Sequence, residues 1–113
     1  VAGRLNREWA GTPTRVHAID EYYRAADVEF PRLLKARGYR DEELGRHAGL
    51  ADTSLMLAVD QRMVRPGAAR PGPPESSGAS GDPSRASAEL GQLGVDLIVS
   101  RTVEAIKKAV AHR

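Results

Sequence analysis

The side chains best placed to do chemistry in this chain of 113 residues lie in one stretch, Gly45-Arg-His-Ala-Gly-Leu-Ala-Asp-Thr-Ser-Leu-Met-Leu57. His47 occupies a turn rich in glycine and alanine, and Asp52 follows where an apolar helical run begins. A neutral imidazole can ligate a metal or pass a proton near neutral pH, because histidine is the side chain that titrates there unaided. A nearby carboxylate can orient that ring, hold it charged, or cap the helix that follows. The spacing H-x4-D matches no common metal-ligand run. Residue types alone therefore leave His47 open as proton carrier or structural histidine, and Asp52 open as site acid or cap.

The other polar groups offer less. His17 falls on a short extended run and is read as facing a ligand or as a satisfied histidine at a sheet end, and His112 as a solvated residue near the last position. Trp9, Tyr22 and Tyr23 are read as core, interface or substrate-lining aromatics. Glu21 and Asp27 are too poorly phased on a helix to act as paired carboxylates. There is no glycine-rich phosphate loop and no G-x-S-x-G elbow, and Ser54 lacks a turn that would expose it as a nucleophile.

The elements that must position these groups read mostly as helices. Val1, Leu5 and Trp9 share one helical face, which Gly11-Thr-Pro-Thr14 ends because Pro13 cannot continue the ladder. Arg15 to Ile19 is the one convincing strand, and its pairing partners would have to come from residues outside this chain. Asp20 to Arg37 is helical, with Tyr23, Ala26 and Phe30 on one face; around Pro31 both one kinked helix and two short ones fit. Asp41-Glu-Glu43 forms a short helical turn, and Asp52 or Thr53 caps the helix that runs on through Val59.

From Pro66 to Pro83 the composition changes: five of the seven prolines and four of the eleven glycines lie there. Such a stretch buries little apolar surface and is expected as an exposed loop, either a plain excursion or the rim of a site. Gly81-Asp-Pro83-Ser84 restarts a helix, capped by Asp82 or Ser84 and running from about Ser84 to Ala111. Its stripe is Leu90, Leu93, Leu97, Ile98, Thr102, Ala105, Ile106 and Ala109. Gly91 and Gly94 weaken that helix, so close packing against another element is their expected purpose.

Composition narrows the function classes. The chain has 41% hydrophobic residues, no cysteine and a net charge of +2 from 17 basic and 15 acidic residues, fourteen of the basic ones being arginine. Without cysteine there is no disulfide, thiolate zinc site or thiol nucleophile. The charges are mixed along the chain, with no basic block interleaved with aromatics, which speaks against nucleic acid as a partner. No run reaches the length of a membrane span and no secretory signal pattern is present, so a cytoplasmic location is expected. The initial Val1 and the lone strand both lead us to expect a fragment or processed piece.

Three blocks, in order, carry a family resemblance. His47-Ala-Gly-Leu-Ala-Asp52-Thr-Ser-Leu-Met-Leu57 resembles the H-A-G-x-x-E-T-S-x-M-L signature of the second half of the creatininase (creatinine amidohydrolase) family. Asp60-Gln-Arg-Met-Val64-Arg65 is similar to the segment that follows that signature. Gly81-Asp-Pro83 with Ala86, Ala88-Glu89 and Gly91 resembles the G-D-P-x-x-A-x-A-E-x-G that opens the family's last helix. The resemblance implies an α/β fold of three layers, α/β/α, of which residues 1–113 are the C-terminal segment of one domain, mostly helical with one short strand and with 66–83 as an exposed loop.

The same resemblance implies a metal-dependent amidohydrolase that cleaves a non-peptide or cyclic C–N amide bond with two divalent metals, zinc, manganese or iron. In that family a metal-bound hydroxide attacks the amide carbon, and the histidine matching His47 shuttles a proton to the departing nitrogen. The acid matching Asp52 lines the same site, as Glu in the family and one methylene shorter here. The family's metal ligands lie in its first half and have no counterpart in this chain. The chain alone is thus expected to be inactive. It needs a companion chain or fragment that supplies those ligands, in a homo- or hetero-oligomer; the family forms ring-like hexamers. The alternatives are a relative acting on a peptide or formamide, and a non-catalytic structural or interaction subunit.

Overall fold

The computed structural model describes residues 1–65, 67 and 78–111. In chain order the elements are α1 (Ala2–Glu8), α2 (Glu21–Arg24), a π-helical turn (Ala25–Glu29), α3 (Phe30–Ala36), α4 (Asp41–Leu44), α5 (Leu50–Val59), two 3-10 turns (Gln61–Met63 and Pro83–Arg85) and α6 (Ala88–Ala111). The chain is mostly helical. The strand expected at Arg15–Ile19 does not form: that segment joins no ladder among the described residues. Its cause is local. The Asn6 amide takes both backbone groups of Val16, Val16 N–H donating to Asn6 Oδ1 at 2.8 Å and Asn6 Nδ2 donating to Val16 O at 2.9 Å. His17, Ala18 and Ile19 have no backbone hydrogen bond among the described residues.

Residues 21–36 form one helical body, because the backbone stays in the right-handed helical region through Arg24, Ala25, Glu29 and Phe30. Of the two arrangements compatible with Pro31, the continuous one is adopted, with a π turn just ahead of the proline. The wider turn also changes which residues face inward. An ordinary helical period from Phe30 selects Ala26 and Tyr23, whereas one extra residue per turn selects Ala25. Ala25, Phe30 and Leu34 are buried and Tyr23 is 65% exposed.

The core is Phe30, Leu34, Leu44, Leu50 and Ala51, closed over by Tyr39, Leu55, Leu90, Leu93 and Leu97. Its centre is the crossing of α5 and α6. A Cβ on Gly91 would collide with the Ser54 carbonyl and come within 2.8 Å of Ala58 Cβ; one on Gly94 would lie 2.8 Å from Phe30 Cζ and 2.7 Å from Leu55 Cδ2. Gly91 thus lets the two helices meet backbone to backbone, and Gly94 lets the Phe30 and Leu55 side chains lie directly on α6, the close packing that their cost to the helix suggested. Of the expected α6 stripe, Leu90, Leu93, Leu97 and Ala105 face this chain, but Ile106 is 45% exposed. Ile106 belongs with Val99, Val103 and Val110 to a second apolar stripe on the opposite side of α6. With that long helix, 24 residues or about 36 Å, the radius of gyration is 17.7 Å, against about 13 Å for a compact domain of about 100 residues.

α6 begins at Ala88 and not near Ser84. Asp82 caps the 3-10 turn before it, accepting from Ser84 N–H at 2.9 Å, and the Ser87 hydroxyl accepts from Leu90 N–H at the start of α6. Residues 66, 68–77, 112 and 113, including His112 and most of the proline-rich stretch, lie outside the described residues. The described end of that stretch, 78–83, is held down and Pro83 is buried. No described helix is long and apolar enough to cross a membrane.

An added methyl at Gly91 meets backbone, whereas one at Gly94 meets side chains that can adjust. We expect Gly91→Ala to cost about 3 kcal/mol and Gly94→Ala about 1 kcal/mol, the two ends of the overpacking range. Urea unfolding of the two variants checks the order.

Candidate functional site

The turn that carries His47 is built from main chain. Gly45, at φ +61°, turns the chain out of α4, and Gly81, at φ +110°, lies against it from the opposite segment. A Cβ on Gly45 would collide with the Ser80 carbonyl, and one on Gly81 would lie 2.8 Å from both Glu43 O and Gly45 Cα. The two segments therefore cross with no room for side chains. They bond where they cross: Ser80 N–H donates to His47 O at 2.7 Å, Arg46 N–H to Ser80 Oγ at 2.7 Å, and Asp82 N–H to Glu43 O at 2.9 Å. His47 and Ser80 form an isolated antiparallel bridge. The backbone of His47 is fixed and its side chain is exposed.

Asp52 acts on the same turn from the other side. α5 starts at Leu50 with Gly49 as N-cap, so neither Asp52 nor Thr53 is the capping residue that the sequence suggested. Asp52 stands on the first turn instead and its Oδ2 accepts from Ala48 N–H at 3.0 Å, while the Thr53 hydroxyl donates to Ala48 O at 3.2 Å. The carboxylate thereby ties the residue ahead of the N-cap to the first turn of α5, where a negative charge also suits the helix dipole. Ala48 sits at φ +54°, unfavourable for a residue with a Cβ. Asp52 and Thr53 hold it there. No hydrogen bond or ion pair joins the His47 imidazole to Asp52 among the described residues, so the two are neighbours on one turn and not a bonded dyad.

Beneath the crossing lies a carboxylate that sequence reasoning missed. Glu43 is only 4% exposed and carries most of the local charge bonding. Its Oε2 accepts from Arg40 N–H at 2.9 Å and Arg40 Nε at 3.3 Å, and its Oε1 accepts from Arg85 Nε at 2.7 Å and lies 2.6 Å from Arg85 Nη2 in an ion pair. The Arg85 guanidinium also lies over the Tyr39 ring, 4.4 Å from its centroid. The backbone N–H of Arg40, then the Arg85 guanidinium, hold the Glu43 carboxyl below the ordinary carboxylate range, against the opposing effect of burial. Asp82 is lowered by the Ser84 hydroxyl and N–H, and Asp60 by the side chain and N–H of Arg62. The acidic run Asp41-Glu-Glu43 marked a helix start, but nothing local in sequence pairs Glu43 with an arginine 42 residues away.

The remaining predicted groups lie elsewhere. His17 is exposed and lines a cleft of about 410 Å³ with Val16, Ile19, Glu21, Ala105 and Ala109, and no residue of the His47 turn borders it. Tyr22 and Tyr23 stack edge to face at 5.2 Å on the exposed side of α2, and Trp9 is exposed. Ser54 is fully buried, its hydroxyl accepting from Ser87 N–H at 3.2 Å, which removes it as a nucleophile. Among the described residues no three His, Cys, Asp or Glu side chains converge as a metal site.

What the chain presents is an exposed histidine on a turn held by backbone hydrogen bonds. Residues 1–106 match the family model described as creatininase, creatinine amidohydrolase, and the chain belongs to that family. The family is amidohydrolase-type and metal-dependent, and the residues described here do not by themselves fit a metal centre. Comparisons with curated proteins and with solved structures gave no match.

A carboxyl held low in the folded state stabilises the fold at pH values above its ordinary titration range, and that contribution is lost as pH falls through the lowered one. Glu43, Asp82 and Asp60 all act in this sense. Glu43→Gln is expected to be less stable than wild type at neutral pH but to lose less further stability on acidification, narrowing the gap between pH of about 6 and about 3. Thermal melts across that range test it.

Proposed function

We propose that the chain supplies the proton-transfer wall of a creatininase-family amidohydrolase acting on the C–N bond of a non-peptide or cyclic amide. The observation that carries this reading is the His47 turn, whose backbone is tied to the facing segment at Arg46 N–H and at the His47 carbonyl while the histidine side chain is left exposed. A general acid needs that combination, since its geometry must be set before substrate arrives and its ring must reach the substrate. Family membership supplies the reaction type.

In the proposed reaction water adds through oxygen to the amide carbon and the C–N bond breaks. His47 delivers a proton from a ring nitrogen to the departing nitrogen and recovers one from the water consumed. Asp52 keeps Ala48, and with it the ring, at a fixed height over the substrate. The divalent metals of the family, zinc, manganese or iron, are held in this reading by residues outside this chain, in a companion segment or chain within an oligomer. The open backbone of His17–Ile19 and the exposed stripe Val99, Val103, Ile106 and Val110 support an assembly of that kind.

In the assembled, metal-loaded enzyme His47→Ala is expected to lower kcat by about 10²- to 10⁴-fold, the usual contribution of a general acid. Metal content should stay unchanged, as judged by elemental analysis. Undiminished turnover would remove the assignment, and loss of metal would make His47 a ligand.

A further inference from the structure

The contacts of Glu43 carry a consequence for His47. We infer that Arg85 is a positioning residue for the His47 turn, acting through Glu43 and the Ser80–Asp82 backbone. The inference rests on the proton-transfer role proposed for His47.

Two parts of the chain meet at this turn, and the bonds between them fall into two sets. At the rim are Ser80 to His47, and Arg46 to Ser80, which joins residues 34 apart in sequence. These are exposed hydrogen bonds, and water competes for each of them. At the base are the Asp82 bond to the Glu43 carbonyl and the ion pair from Arg85 to the buried Glu43 carboxylate. Only the base set includes a charged group withdrawn from water, so only it strongly opposes separation. Arg85 lies three residues beyond Asp82 and one turn before α6. It therefore anchors the near end of the segment whose far end holds His47.

The geometry also distinguishes arginine from lysine. Nε donates to one carboxylate oxygen and Nη2 makes an ion-pair contact with the same oxygen while the guanidinium covers Tyr39. A lysine ammonium retains the charge but loses the two-point contact and the stacking. With Arg85 removed, Glu43 keeps Arg40, and α4 retains its own start. The expected defect is thus not loss of α4 or α5 but release of residues 80–82 from the turn. Gly45 and Gly81 add no side-chain contact to resist it, since the crossing there is bare backbone.

The test is amide hydrogen exchange, with the His47 ring signals followed by NMR, on the full chain carrying Arg85→Ala, Arg85→Lys, Glu43→Gln or the Arg85→Ala/Glu43→Gln pair. Leu97→Ala serves as a core-destabilised control. Arg85→Ala should speed exchange at the Ser80 and Asp82 amides by about tenfold or more and shift the His47 ring signals, with α5 and α6 amides near wild type. Arg85→Lys should fall between, and the double variant should add little to either single one. If Arg85→Ala does not fold, the same pattern at smaller amplitude in Arg85→Lys supports the inference. Unchanged Ser80 and Asp82 amides with unmoved His47 signals would overturn it, and so would the uniform rise in exchange expected of Leu97→Ala. Turnover enters none of these readings, so a failed role for His47 in catalysis would show separately, as undiminished activity of His47→Ala.

Discussion

The close crossing of α5 and α6 is the constraint on which the rest of the structure depends. Gly91 lies against the Ser54 carbonyl and Gly94 against Phe30 and Leu55, so the two helices approach more closely than side chains would allow. That approach brings Ser87 N–H to the buried Ser54 hydroxyl and so determines where α6 begins. Where α6 begins determines where Arg85 and Asp82 stand, and these meet Glu43 at the base of the His47 turn. A helix-packing contact among small residues thus reaches a polar turn through a chain of backbone positions.

Polar bonding then takes over from apolar packing. Phe30, Leu34 and Leu50 form a small buried centre, and residues 45–48 of the turn above it are exposed and outside that core. Its order comes from carboxylates: Glu43 from below, Asp52 from the helix start, and Asp82 at the 3-10 turn. Each accepts backbone N–H groups that would otherwise lack a partner, which is why short polar side chains can fix a loop that a core cannot reach.

Much of this organisation was legible in the sequence where it depended on local chemistry. The His47 turn, the α4 acidic run and the packing purpose of Gly91 and Gly94 follow from residue type and spacing. What was not legible depended on neighbours. The period-two run at Arg15–Ile19 looked like a strand, but a strand needs a second one, and here only the Asn6 amide answers Val16. The π turn moved the inward face from Tyr23 and Ala26 to Ala25, because one extra residue in a turn shifts the register of everything before it. Asp52 looked like a cap because Asp before Thr-Ser is the usual pattern, yet Gly49 had already begun the helix. Glu43 and Arg85 are joined only by the fold. The family signature was read from three short blocks, and the match over residues 1–106 bears it out.

The turn divides two tasks at a single residue. The carbonyl of His47 carries the structural load, through the bridge to Ser80, while its imidazole makes no hydrogen bond or ion pair among the described residues. Neighbouring positions have no such freedom: Gly45 and Gly81 are committed by contact, and Ala48 by the conformation in which it is held. Position 47 can therefore accept a different functional group without asking the scaffold to change. A lineage carrying this turn could exchange its chemistry by a single substitution and keep its architecture, which makes the turn a socket for reactive groups as much as a seat for one histidine.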